Sequence, residues 1–219
     1  KKIPYMGNQL VAPLKDKQVF EKVERELAFI ERFGIEVLYY EDPQYPGRLR
    51  HCEDAPVVLY VRGDLSTEGR KVLSIVGTRR ASDRGLDICE RLVGDLSANN
   101  SNLVIVSGLA YGIDICAHRA ALGHKLTTLA VLGHGMDTIY PSVHRKTALQ
   151  IVVQGALVSE FSSQTPFVRG NFVSRNRIIA GLSDATIVVE SGKKGGALIT
   201  ADIANSYNRD VFAFPGRID

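Results

Sequence analysis

Lys71-Val72-Leu73-Ser74-Ile75-Val76-Gly77-Thr78-Arg79-Arg80 is a short apolar run of strand length, closed by a glycine and two arginines. Leu86, Cys89, Leu92, Val93 and Leu96 then recur at helical spacing, and Leu103–Val106 is apolar again. A buried strand followed by an amphipathic helix and another buried strand is the repeat of a parallel sheet with helices on its faces. The repeat continues through Thr127–Leu132, Ala156–Val158, Thr186–Val189 and Val211–Phe214, with helical stretches between most of them. The expected fold is therefore α/β, a doubly wound and mostly parallel sheet over residues 66–219.

Upstream, residues 1–65 are expected to form a small N-terminal extension that packs on the core or extends it. Residues 1–15 hold Pro4, Gly7 and Pro13 and are expected to be an irregular lead-in. Asp16 suits a helix N-cap, Phe20, Val23, Leu27 and Ile30 share a helical face, and Gly34 is a natural stop. Ile35–Tyr40 is expected to be a strand. After it Pro43 and Pro46 forbid a long regular element, and Val57–Val61 is a second strand candidate.

The chain has 219 residues, 45% of them hydrophobic, enough to bury a substantial core. A net charge of +3 leaves any affinity for nucleic acid to local clusters of basic residues. Cys52, Cys89 and Cys116 lie far apart without metal-ligand spacing, which suits buried free thiols in a reducing cytoplasm. No apolar run approaches the ~20 residues that span a bilayer, and no leader is evident, so a cytoplasmic protein with no membrane contact is expected. The chain lacks an initiating Met and stops at Arg217-Ile218-Asp219 just after a strand, which predicts a piece of a longer protein.

In a doubly wound sheet the ligand lies beyond the carboxyl ends of the strands. The loops there are Gly77-Thr78-Arg79-Arg80, Ser107-Gly108-Leu109-Ala110-Tyr111-Gly112, Gly133-His134-Gly135, Ser159-Glu160-Phe161 and Ser191-Gly192-Lys193-Lys194-Gly195-Gly196. Glycine lets backbone N–H groups approach an anion closely, and a helix that follows aims its positive end at the same place. For any single loop a tight turn explains the glycine equally well. Several on one rim, two of them with paired basic residues, point to an anion-binding edge.

A second basic stretch runs from Ser162 to Ser183, with Arg169, Arg175 and Arg177 and no acid. Arginine forks match phosphate oxygens, and Phe172 among them offers a face for a base, the composition of a single-stranded nucleic-acid binder. The competing reading is a surface helix whose buried side is Phe172, Val173, Ile178, Ile179 and Leu182.

Dinucleotide binding is disfavoured, because Gly77-Thr78-Arg79-Arg80 lacks the G-x-G-x-x-G pattern and the second strand ends without an acid for a ribose. The Walker A pattern is missing as well. Glu160 and Glu190 follow strands, where a catalytic acid can sit, but neither has a matching partner in the sequence. Asp114 suits a helix N-terminus, and His118, one turn on, suits a packed histidine.

Taken together these motifs resemble the DNA-processing protein A family of bacterial natural transformation, also called DprA or Smf. The resemblance rests on Ser74–Arg80, Val106–His118, Val131–Pro141, Ser174–Ser183, Gly196–Ala201 and Phe214-Pro215-Gly216, with Tyr45-Pro46, Asp54-Ala55-Pro56 and Leu59-Tyr60 upstream. It spans about Ile35 to the end of the chain. It implies an extended Rossmann domain that binds single-stranded DNA in a basic pocket, forms homodimers and helps load RecA recombinase, with no cofactor, metal or enzymatic turnover.

By position it places Gly77, Thr78, Arg79 and Arg80, with Ser107 and Gly108, at the pocket. Arg169, Gly170, Asn171 and Phe172 are placed along the strand path. Arg175, Asn176 and Arg177 form the R-N-R motif, in which one arginine is expected to grip phosphate and the other to shape the loop. Two departures stand out. His144 occupies a position that is Asn in many members, and Ser191–Ala201 is longer than usual, its Lys193-Lys194 insertion either adding phosphate contacts or only lengthening the loop. Family members often carry helical and winged-helix-like flanking domains. The alternative is a nucleoside-monophosphate enzyme of the phosphoribohydrolase type, opposed by Gly195-Gly196-Ala197-Leu198-Ile199-Thr200, which lacks the glutamate that class requires.

Overall fold

The structure is a computed structural model, and it describes residues 17–216. The lead-in 1–15, the N-cap expected at Asp16 and Arg217-Ile218-Asp219 lie outside the described residues. Two compact units divide after Ile35.

In the first unit, α1 spans Lys17–Phe33. It ends as its sequence predicts, because Gly34 takes φ +59° and its N–H reaches the Glu31 carbonyl while the Ile35 N–H reaches that of Ile30. That pair of bonds satisfies carbonyls that the helix leaves open, and glycine enters the left-handed region without a Cβ penalty.

The second unit is built on one eight-stranded sheet in the order β1-β2-β6-β5-β4-β3-β7-β8. Its strands are β1 Glu36–Tyr39, β2 Val58–Gly63, β3 Lys71–Val76, β4 Leu103–Ser107, β5 Thr127–Val131, β6 Gly155–Ser159, β7 Ala185–Val188 and β8 Asp210–Ala213. From β6 to β8 all neighbours are parallel, while β1 and β2 extend the sheet antiparallel. The chain steps from β3 outward to β6, then returns to the other side of β3 for β7 and β8. The doubly wound, mostly parallel sheet expected from the sequence is the observed one, and the strands lie within two residues of their expected positions.

The pleat sends alternate residues to two cores. Val72 and Val76 of β3, with Val104, Val106, Leu129 and Val131, pack under α2 (Gly47–Arg50), α7 (Asn176–Leu182) and α8 (Gly196–Ser206). Ile75 and Ile105 pack under α3 (Asp83–Asn99) and α4 (Ile113–Gly123), and α5 (Arg145–Gln154) lies beside α4. β4 is buried at every residue, which explains its continuous apolar sequence. Ser82 caps α3 by accepting from the Gly85 N–H at 3.1 Å. Among the described residues no helix is long and apolar enough to cross a membrane.

The basic stretch divides into α6 (Arg169–Ser174) and α7, which meet at Arg175. Ile178, Ile179 and Leu182 are buried, each stabilising the fold by roughly 1.5–3 kcal/mol relative to exposure. Val173 is exposed and Phe172 half-buried, so the buried side of a continuous surface helix accounts for α7 and not for α6.

Candidate nucleic-acid interface

The loops beyond β3 and β4 close on one another through glycines. A Cβ on Gly77 would come within 2.4 Å of the Ile113 side chain, and one on Gly112 within 2.2 Å of the Thr78 carbonyl. Gly112 also has φ +75°, so a side chain there is opposed by both space and backbone. The Thr78 N–H donates to the Glu190 carbonyl at 2.7 Å, and the Arg80 N–H to the Thr78 hydroxyl at 3.2 Å. This packing leaves the Arg79 and Arg80 side chains in solvent.

Arg79 lines an open pocket with about 250 Å³ of empty space, together with Gly108, Ala110, Tyr111, Tyr140, Pro141 and Phe172. Tyr111 and Tyr140 are 44% and 47% exposed, so ring faces are available at its mouth. Behind them is an aromatic cluster that joins the loops after β5 and β6. Phe167 stacks on His134 at 5.0 Å, Tyr140 sets its edge against Phe167 at 5.0 Å and Phe172 at 5.7 Å, and Phe172 lies over Gly133. His134 is fixed by its own bonds to the Gly135 carbonyl and the Tyr140 N–H, and burial pushes its pKa down.

The R-N-R arginines face inward. Arg175 is 4% exposed, and one of its terminal nitrogens donates to the carbonyls of Gly108, at 2.7 Å, and Val131. A Cβ on Gly108 would sit 2.3 Å from that nitrogen, so glycine is what lets the guanidinium in. Burial pulls the Arg175 pKa down to about 10, the nearby Asp114 charge opposes the fall, and Arg79 adds to it. Asp114 is buried as well; desolvation raises its pKa against the pull of Arg175 and of the Ala110 and Gly108 N–H groups. Arg177 meets Glu160 through two bonds of 2.6 Å and the Asp54 carbonyl at 3.1 Å. Both arginines therefore have protein partners, and Asn176 holds the Gly196 carbonyl at 3.4 Å.

Of the residues singled out in the sequence, Arg79, Gly108 and Phe172 line the pocket, and Gly77, Thr78 and Arg80 form the loop beside it. Ser107 is buried and donates to the Ile75 carbonyl at 2.6 Å. Arg169, Gly170 and Asn171 lie on α6, with Arg169 and Gly170 exposed; Lys193 is exposed on the loop after β7. Among the described residues Arg79, Arg80, Arg169 and Lys193 have no ion-pair partner. Tyr140 lines the pocket and Phe167 packs against it in the ring cluster; neither was singled out as a site residue, although both lie within quoted stretches of sequence.

The strand-end carboxylates are occupied too. Glu160 is held by Arg177, and Glu190 accepts from the Ser82 N–H at 2.9 Å and its hydroxyl at 3.1 Å. His118 is fully buried. Its Nδ1 meets the Thr128 hydroxyl at 2.7 Å, and that hydroxyl donates to the Ile105 carbonyl, so Nδ1 carries the proton of a neutral ring. Burial, with the charge of Arg175, pushes its pKa down to about 3.

Because the unfolded ring takes up its proton near pH 6.5, the unfolded state binds more protons below that value. Stability should therefore fall by up to about 1.4 kcal/mol per pH unit from near 6.5 toward 3. Denaturant unfolding of the parent and His118→Gln between pH 7 and 4.5 checks this. The parent should show an extra loss of stability with falling pH that the variant lacks; parallel curves would remove His118 as the cause.

Strand order, the crossed-over sheet and a rim lined with glycine, arginine and aromatic rings define an extended Rossmann-like domain. Residues 36–219 match the family model described as DNA recombination-mediator protein A, and the chain belongs to that family. It is 44% identical over 183 residues to Protein Smf of Synechocystis, covering 82% of this chain and 46% of that protein. The structure is similar to that of DNA processing protein A (DprA) from Streptococcus pneumoniae, with a TM-score of 0.78, 35% identity and coverage of 93% of this chain and 72% of that one. It is also similar to DNA processing protein A from Helicobacter pylori, described for its single-stranded DNA binding mode, with a TM-score of 0.75, 30% identity, and 85% and 83% coverage. The chain thus spans about half the length of the Synechocystis relative.

Proposed function

We propose that this chain binds single-stranded DNA without regard to sequence, along the rim from Arg79 to α6. The observation that carries the reading is the pocket lined together by Arg79 and by Tyr111, Tyr140 and Phe172. A phosphate takes the arginine while an adjacent base, free of a pairing partner, lays its face on a ring. Duplex bases are stacked on one another and cannot reach the rings. Arg80, Arg169 and Lys193 extend the positive path. In this reading Arg175, Asn176 and Arg177 hold the rim in shape and leave the phosphates to the exposed cations. Ser107 does the same from below.

The family relationship and the Helicobacter pylori protein support this ligand. Within it, the role we assign is in natural transformation and recombination in the cytoplasm. There the chain covers the incoming strand and helps load RecA recombinase, acting as a homodimer and by binding rather than turnover. Fluorescence anisotropy with a labelled oligothymidine of about thirty nucleotides and its duplex tests the reading. Single strands should bind more tightly, with affinity falling on a log–log salt plot by about 0.7 per phosphate neutralised. Equal affinity for both forms, or none for either, would reject it.

A further inference from the structure

Cys89 and Cys116 play no part in the rim, yet they face each other across the seam between α3 and α4. The Cys89 Sγ lies 3.9 Å from the Ile113 carbonyl, one turn before Cys116, and the Cys116 Sγ lies 3.5 Å from the Leu86 carbonyl, one turn before Cys89. These reciprocal contacts bring both sulfurs to the same level of the seam. Cys89 is fully buried, whereas Cys116 is partly open to solvent. The neighbouring Cys89 holds the Cys116 thiol below its ordinary range, while Cys116 and burial push Cys89 up. One thiol is thus the accessible nucleophile and the other its protected neighbour, an arrangement suited to oxidation by a small oxidant and resolution in place.

We propose that Cys89 and Cys116 are an oxidative modification site, at which a hydroperoxide converts the two thiols into a reversible disulfide joining α3 to α4. The Cys116 thiolate attacks the outer oxygen of hydrogen peroxide, the O–O bond breaks, and hydroxide leaves to take up a proton as water. The sulfenic acid so formed is attacked by Cys89, which gives up its thiol proton; the S–S bond forms, the S–O bond breaks and a second water leaves. Two thiols and one peroxide become one disulfide and two waters, with the sulfurs oxidised and the peroxide reduced. The bond ties together the helices that follow the Gly77–Arg80 and Ser107–Gly112 loops. Cys52 belongs to the core on the other face of the sheet, so it serves as an internal reference.

The test is brief exposure of the reduced full chain to hydrogen peroxide, alkylation under denaturing conditions, and non-reducing peptide mass spectrometry. The expected result is loss of two of the three thiols, a linked Cys89–Cys116 peptide, alkylated Cys52, and full recovery with dithiothreitol. The oxidised parent should also melt at a higher temperature than the reduced form, because the cross-link restricts the unfolded chain. In Cys89→Ala the link and the rise in melting temperature should both vanish, with Cys116 proceeding to sulfinic acid. Three alkylated thiols at doses that oxidise a free cysteine peptide would overturn the proposal. So would Cys116 sulfinic acid in the parent while Cys89 stays alkylated.

Discussion

Replacing Arg175 with methionine is expected to lower folding stability by about 3–5 kcal/mol, a large part of what a domain of this size has in total. Methionine fills much of the same volume, so the loss comes from charge and hydrogen bonding. Asp114 remains buried without its cation, and the carbonyls of Gly108 and Val131 lose their donor. The carboxyl can escape the first penalty by holding its proton to higher pH, so the defect should shrink as pH falls, apart from the loss due to His118. Arg175→Lys should lie between parent and methionine, because an ammonium keeps the charge but cannot reproduce the planar fork. Pairing Arg175→Met with Asp114→Asn should recover part of the loss, since removing both charges leaves no unpaired ion. Denaturant midpoints at pH 7.5 and 5.5 decide the matter. A loss below about 1 kcal/mol for the methionine variant would mean that the guanidinium is not the brace described.

This brace also shows where sequence reading stops. The sheet was legible because its evidence is local: Val72–Val76 and Leu103–Val106 are continuous apolar runs, and the face from Leu86 to Leu96 lies between them. Arg79 was legible as a rim residue because the glycine after a parallel strand fixes where the next side chains go. Arg175 and Arg177 offered no such cue. In sequence they are two cations in an acid-free stretch, which is how phosphate ligands look as well. Their partners come from across the fold, Gly108 at a separation of 67 residues and Val131 at 44, and carbonyl acceptors leave no trace in residue type. The pairing of Glu160 with Arg177 is equally hidden, because an opposite charge 17 residues away joins it only through the fold. Tyr140 and Phe167 were missed for a related reason. Each is an ordinary loop aromatic until the ends of β5 and β6 bring both against His134 and Phe172.

Phe172→Ala and Arg79→Ala should both weaken binding to oligothymidine, and salt should tell them apart. Removing the ring takes away a stacking contact of about 1–3 kcal/mol, so the dissociation constant should rise roughly 5- to 150-fold with the salt slope unchanged. Removing the guanidinium takes away one phosphate neutralisation, so the slope should become shallower by about 0.7 and the loss should be greatest at low salt. Arg79 is exposed and has no ion pair among the described residues, so its variant should fold as the parent does. It should even ease the burden on Arg175, whose pKa the Arg79 charge helps to lower. Phe172 is half-buried over Gly133, so its melting temperature must be measured beside its affinity. Tyr140→Ala then tests whether the ring cluster or one ring carries the stacking. If Phe172 alone carries it, the tyrosine change should leave affinity within about twofold at every salt concentration, whereas a shared platform makes the two losses comparable. Unchanged affinity and slope in both Phe172→Ala and Arg79→Ala would move the strand off this pocket, because a phosphate and a base held there cannot ignore the loss of both groups.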